Sequence, residues 1–199
     1  MELESAVDQL RDALKILPGV GPKSAQRMAF HLLERDREGA KYIVKALSFA
    51  LNAVSHCSRC NNFCESDICR ICSSEKRDQS VLCIVETPAD LESIEHAGAF
   101  TGVYFVLMGH LAPLDNIGPE SLSLDKLRKT VAESEVKEIV LATNLTLEGQ
   151  ATADFIASLF EQIDIQISRL ARGVPVGGEL EYLDPGTLNQ AFDERRRLS

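Results

Sequence analysis

The sequence predicts an α/β protein with a small metal-bound loop, and three observations carry that prediction. Four cysteines stand as Cys57-x-x-Cys60 and Cys69-x-x-Cys72. Ahead of them apolar residues recur at helical steps; behind them continuous apolar runs alternate with amphipathic stretches. The expected order is a helical region over 1–56, a four-cysteine loop over 57–72, a parallel α/β sheet domain over 80–175, and an extended C-terminal segment with a short helix over 176–199.

In the helical region, Leu3, Val7, Leu10, Leu14 and Leu17 fall at steps of three and four, and Pro18-Gly19 ends the pattern. Gly19 and Gly21, one residue apart, allow a tight turn, and Pro22 at a first helical position starts a second helix carrying Ala25, Met28, Ala29 and Leu32. Helix, Gly-x-Gly turn and helix resemble a helix-hairpin-helix motif, in which hairpin amides and a helix N-terminus face a DNA phosphate without reading sequence. Lys23 and Arg27, one helical turn apart, would reinforce such a contact. The same pattern also suits a turn packed against another subunit with both cations merely solvated, and local sequence leaves the two readings open. A third helix is expected over 39–55, with Ile43, Val44, Leu47, Leu51 and Val54 on one face.

The cysteine loop follows directly. Two residues between thiolates let one turn offer both sulfurs to one ion, and two such turns close a four-thiolate shell around zinc. Residues 61–68 are polar and cannot fold on apolar burial, so the loop needs the ion. A full shell leaves no open position for water or substrate, which makes the expected Zn2+ structural, one per chain. Disulfides would need an oxidising compartment, whereas residues 1–5 lack the basic and apolar regions of an export signal, so the expected location is cytoplasmic. Cys64, mid-loop beside Phe63, is expected to be a bystander, and Cys83 a core residue.

Strands are expected at 81–85, 103–108, 138–142 and 165–170, and helices at 88–96, 123–134 and 150–162. Ligands of such sheets sit beyond the strand C-termini. Glu86 stands there after the first strand, with Asp90 nearby, and Asn144 and Glu148 stand after the third. A magnesium site for phosphoryl transfer would need an acidic pair in that loop, but the two positions hold Asn144 and Thr146. The arrangement resembles a Toprim domain without its Asp-x-Asp. Glu86, Asp90, Asn144 and Glu148 then read as polar loop residues or a partner-binding surface.

After a turn at 173–178 an extended segment is expected, with Asp184-Pro185 opening a last helix and Arg195-Arg196-Arg197 forming a solvated basic end. The net charge of −9 argues against nucleic acid. It is unevenly spread, however: residues 1–79 carry 12 Lys and Arg against 11 Asp and Glu, and residues 80–199 carry 9 against 19. Phosphate contacts therefore belong to the N-terminal part.

The whole order, ending in Gly173-Val174-Pro175-Val176-Gly177-Gly178-Glu179-Leu180, resembles the RecR family of bacterial recombination mediators, as do residues 104–115. That resemblance implies a non-enzymatic homotetrameric ring able to encircle single- or double-stranded DNA; the extended C-terminal segment over 176–199 could pair with its own sheet or a neighbour's and is expected to be an inter-subunit contact. With RecO, and in some settings RecF, it would load RecA onto single strands coated by single-strand-binding protein during gap repair. It further implies that Gly19, Gly21, Lys23 and Arg27 line the DNA side, that the Toprim loop receives RecO, and that Cys57, Cys60, Cys69 and Cys72 hold zinc. Two rivals are a magnesium-dependent nuclease and a zinc-stabilised adaptor that binds only proteins.

Overall fold

A computed structural model describes residues 5–171, 173–175, 177–193 and 195. Leu3, Arg172, Val176, Arg196 and Arg197 lie outside them. The chain divides after Val54 into two compact units.

The first unit is helical. Helix α1 (Ala6–Leu14) starts where the Ser5 hydroxyl accepts from the Asp8 amide at 3.2 Å and ends before Leu17, shorter than the apolar pattern suggests. Gly19 takes a φ of +76°, which L side chains rarely adopt, and lets the chain turn in three residues, with the Val20 amide on the Leu17 carbonyl at 3.1 Å. Gly21 then caps α2 (Pro22–Phe30), where Pro22 occupies the first turn. Ala25 and Ala29, four residues apart, are the buried residues of α2 and allow the close approach of α1. A π-helical turn (His31–Arg35), not anticipated from the sequence, joins α2 to α3 (Arg37–Ala53). Asp36 caps α3 through the Gly39 amide at 2.8 Å, two residues ahead of the expected start. No residue of α3 is buried.

In the second unit, β1 (Ser55–His56) and β2 (Phe63–Cys64) form a short antiparallel ribbon that opens the cysteine loop. Strands β3 (Asp78–Val85), β4 (Gly102–Val106), β5 (Glu138–Leu141) and β6 (Gln166–Arg169) make one sheet, all parallel, in the order β4-β3-β5-β6. The connections carry α4 (Pro88–Ala97), α5 (Leu124–Ala132) and α6 (Leu147–Phe160). The first strand thus sits between the second and third, and the chain leaves it in opposite directions. That is a topological switch point, where a crevice opens beyond the strand ends.

Period-two alternation splits the core between the sheet's faces. Leu82, Ile84, Phe105 and Ile139 pack with Leu127 of α5 and Ile156 of α6 in one cluster. Cys83, Val85, Tyr104 and Val106 belong to the other, with Leu91 of α4 and all four cysteines of the loop. The loop, separate in sequence, therefore completes one face of the sheet. Helix α6 begins three residues earlier than expected because the Thr146 hydroxyl takes the Gly149 amide at 3.1 Å. The tail also departs from expectation: Leu180–Tyr182 is a 3-10 turn, not an extended segment. Asp184 opens α7 (Pro185–Asp193) as expected, accepting from the Thr187 amide at 3.0 Å. Of the basic end only Arg195 is described, exposed, with its guanidinium on the Phe192 carbonyl at 2.8 Å.

Candidate metal centre and nucleic-acid interface

The sulfurs of Cys57, Cys60, Cys69 and Cys72 lie within 4.8 Å of one another, and all four residues are buried. A tetrahedron of zinc-sulfur bonds has edges of about 3.8 Å, so the cluster is already close to the size of the ion's shell. No disulfide links them; the Cys60 and Cys69 sulfurs stand 3.5 Å apart. The surrounding backbone is shaped for anionic sulfur. The Cys69 amide donates to the Cys57 sulfur at 3.3 Å. Burial acts to raise the Cys57 thiol, but the amides of Cys60, Cys69 and Arg59 outweigh it and bring it down to about 7. Burial pushes Cys69 up to about 11, and the bond to Cys72 together with burial drives Cys60 far above the usual thiol range. These effects oppose ionisation of Cys60 and Cys69, which a cation among the sulfurs would offset, and a group of four buried cysteines fits Zn2+. Cys64 stays outside the cluster, its thiol on the Ser66 carbonyl at 2.7 Å. Cys83, its thiol pushed up to about 12 by burial, lies in the core.

Residues that the sequence did not single out seat this loop. Asn61 is in the left-handed region at φ +64° and is 5% exposed. Its side-chain amide donates to the Val106 carbonyl at 2.9 Å and to the Ser123 hydroxyl at 3.0 Å, while the Val106 amide donates to the Cys60 carbonyl at 2.8 Å. Its position between the cysteine pairs marked it only as polar.

In the first unit, Lys23 and Arg27 are both exposed on α2, and neither forms an ion pair among the described residues. The turn before them leaves the first amides of α2 without a side-chain cap. Uncapped amides at a helix start, with two cations on the following turn, have the chemistry to accept a phosphate.

At the switch point Glu86 is 2% exposed, although it follows the last residue of β3. One carboxylate oxygen accepts from the Asn144 backbone amide at 2.7 Å, and the other accepts from the Asn144 side chain at 2.8 Å and approaches His110 Nδ1 at 3.2 Å. Gly149 closes over them: a Cβ there would come within 2.1 Å of the Asn144 carbonyl oxygen and 2.7 Å of Glu86. Asn144 thus supplies hydrogen-bond donors where an acidic residue would supply metal ligands. Asp90 is also spoken for, since it closes a capping box with Thr87, accepting the Thr87 amide at 2.9 Å. Among the described residues, the four cysteines are the one group of three or more potential ligands close enough to share an ion.

Family models match the chain along its length: the RecR helix-hairpin-helix over 7–51, the RecR four-cysteine zinc finger domain over 54–74, the Toprim domain over 80–171 and the RecR C-terminal region over 173–196. Recombination protein RecR of Chromobacterium violaceum is 55% identical over 196 residues, which span 98% of this chain and 99% of that one. The chain belongs to the RecR family. Recombination protein RecR of Xanthomonas campestris pv. campestris strain 8004 is 52% identical, and that of Xanthomonas oryzae pv. oryzae strain MAFF 311018 is 53% identical, each over 98% of this chain and 100% of the relative. The RecR zinc-finger match spans all four buried cysteines, and the chain carries one structural zinc site. The RecR helix-hairpin-helix match spans Gly19, Gly21, Lys23 and Arg27. The Toprim match holds Glu86, Asp90, Asn144 and Glu148, of which the structure joins Glu86 and Asn144 and ties Asp90 into a helix cap. Among the described residues, no helix is long and apolar enough to cross a membrane.

Proposed function

We propose that this chain is a non-catalytic mediator of recombinational DNA repair, a homotetrameric ring that holds DNA and, with RecO and in some settings RecF, loads RecA onto gaps coated by single-strand-binding protein. The observation that carries this reading is the α2 start, where uncapped amides stand with the unpaired Lys23 and Arg27 in a RecR helix-hairpin-helix. Its ligand is the DNA backbone, so binding is indifferent to sequence. Assembly is supported by the first unit, where one face of α3 finds no core: Ile43, Val44, Leu47 and Leu51 are all more than half exposed. An apolar face of that extent marks an interface.

Catalysis is disfavoured by the chemistry at the switch point. Its carboxylate is occupied by Asn144, and among the described residues Glu86 belongs to no group of three or more potential ligands that could hold Mg2+. The same loop serves as the RecO surface, its accessible members being Asn144 and the half-buried Glu148, with Glu86 beneath as the group that fixes the loop. Rim charges govern association rate, so Glu148→Lys is expected to slow RecO association about tenfold at low salt and leave melting unchanged. The function itself is tested by following RecA filament growth on gapped DNA coated with single-strand-binding protein. Growth is expected to accelerate only when this chain and RecO are both present. Equal growth without the chain would contradict the proposal, and RecO binding without any DNA binding would favour the protein-only adaptor.

A further inference from the structure

Two cations sit on the backbone of the zinc ligands. Arg59, between Cys57 and Cys60, donates from one guanidinium nitrogen to the Cys72 carbonyl at 3.1 Å and from the other to Gln79 at 2.9 Å. Lys126, on α5, places its ammonium 2.7 Å from the Cys57 carbonyl and 3.2 Å from the side-chain oxygen of Asn61. Each thus grips a different ligand, one from each end of the cluster. Both are half-buried, and neither forms an ion pair among the described residues. Their partners are all neutral oxygens. Glu133 lines the same cleft but pairs with Lys129, so holding two long, partly buried cations costs solvation unless a further negative charge lies close by.

The loop supplies that charge. Four thiolates around a divalent ion carry a net charge of −2, enclosed here by residues that are at most 5% exposed. We infer that Arg59 and Lys126 are positioning residues of the metal centre, two outer-shell cations that balance the charge of the loaded tetrathiolate and fasten it to the sheet domain, Lys126 from α5 and Arg59 through Gln79 of β3. Two positive groups stand against two units of negative charge, and each acts through the carbonyl of a ligand residue, so the charge effect and the fastening share the same bonds. Thr130 adds a neutral tie from α5, its hydroxyl donating to the Arg59 carbonyl at 3.0 Å. Lys129 provides a contrast on the same helix, since it is exposed and lies 3.9 Å from Glu133. Outer-shell partners of metal ligands typically contribute 10–100-fold to metal affinity.

The experiment uses the full-length zinc-loaded protein and compares the parent with Arg59→Gln, Lys126→Gln, Lys126→Arg and Lys129→Gln. Zinc transfer to excess chromogenic chelator gives the release rate, and competition with the same chelator gives affinity. The two neutral variants Arg59→Gln and Lys126→Gln, which keep a donor but lose the charge, are expected to lose zinc roughly 10–100-fold more readily. Lys126→Arg, which keeps the charge, is expected within a few-fold of the parent, and Lys129→Gln is expected to match it. Melting of each variant is followed with and without added zinc, because an effect exerted through the ion is offset by mass action. Neutral variants that hold zinc as the parent does would overturn the inference. So would a Lys126→Arg variant as leaky as Lys126→Gln, which would assign the role to side-chain shape and not charge, or neutral variants that melt early whatever the zinc concentration.

Discussion

Arg77 shows how much a single ion pair can organise at the residue scale. Its guanidinium meets both oxygens of Glu95 on α4 and also donates to the Phe100 and Gly102 carbonyls at 3.3 Å, while the Tyr104 hydroxyl donates to Glu95 at 2.7 Å. The Arg77 bond is the main reason the Glu95 carboxyl lies below its ordinary value of 4.5, against the opposing effect of burial. A carboxyl depressed in the folded state contributes stability that is present above its unfolded pKa and lost as pH falls through the folded one. Glu95→Gln is therefore expected to cost roughly 1–3 kcal/mol at neutral pH and to flatten the fall of stability below about pH 4.5. Chemical denaturation of parent and variant across that range checks it. Gly149 offers a second test, by shape alone. Gly149→Ala forces a methyl against the Asn144 carbonyl and Glu86, and such overpacking is expected to cost roughly 1–3 kcal/mol and to disturb the loop that follows β5. An unchanged melting midpoint would show that α6 yields instead.

At the scale of elements, legibility tracked how local the determining chemistry was. The cysteine spacing and the apolar runs of the sheet are short-range signals, and the elements appeared where those signals stood. Helix starts were displaced where a cap decided them, as Asp36 does for α3 and Thr146 for α6, because a cap is one side chain and carries no periodicity. The role of Asn61 could not be read at all, since its partners Val106 and Ser123 lie 45 and 62 residues away in sequence. Glu86 was legible as a residue at a strand end but not as a buried one, because its burial depends on Asn144 and Gly149 from another connection. The shared cluster of loop and sheet leads to a prediction. Cys57→Ser or Cys69→Ser is expected to lower the melting midpoint of the sheet and not only to loosen the loop, because metal binding in such a loop is folding energy. Metal analysis of the parent is expected to give about one zinc per chain, and chelation to reproduce the variants' loss of stability.

At the scale of the whole molecule, the proposed function raises the question of how a chain of net charge −9 would hold DNA. One chain offers a helix start, Lys23 and Arg27, about two or three phosphate contacts, each contributing a salt slope near 0.9. That is little against an acidic C-terminal portion carrying 19 acidic and 9 basic residues over 80–199. Repetition of the near-neutral N-terminal part within an assembly changes the balance, since weak contacts held at high effective concentration add up without new chemistry. On the proposed function, DNA binding is expected to be weak per site, indifferent to sequence and steeply salt-dependent. The most direct test is a salt titration of DNA affinity for Lys23→Glu/Arg27→Glu beside the parent, with assembly size and zinc content measured on both. Affinity is expected to fall at least tenfold on every sequence and the slope to shrink, while size and zinc stay as they were. An affinity and slope that do not move in a folded, assembled variant would contradict the account and leave the hairpin as a subunit contact.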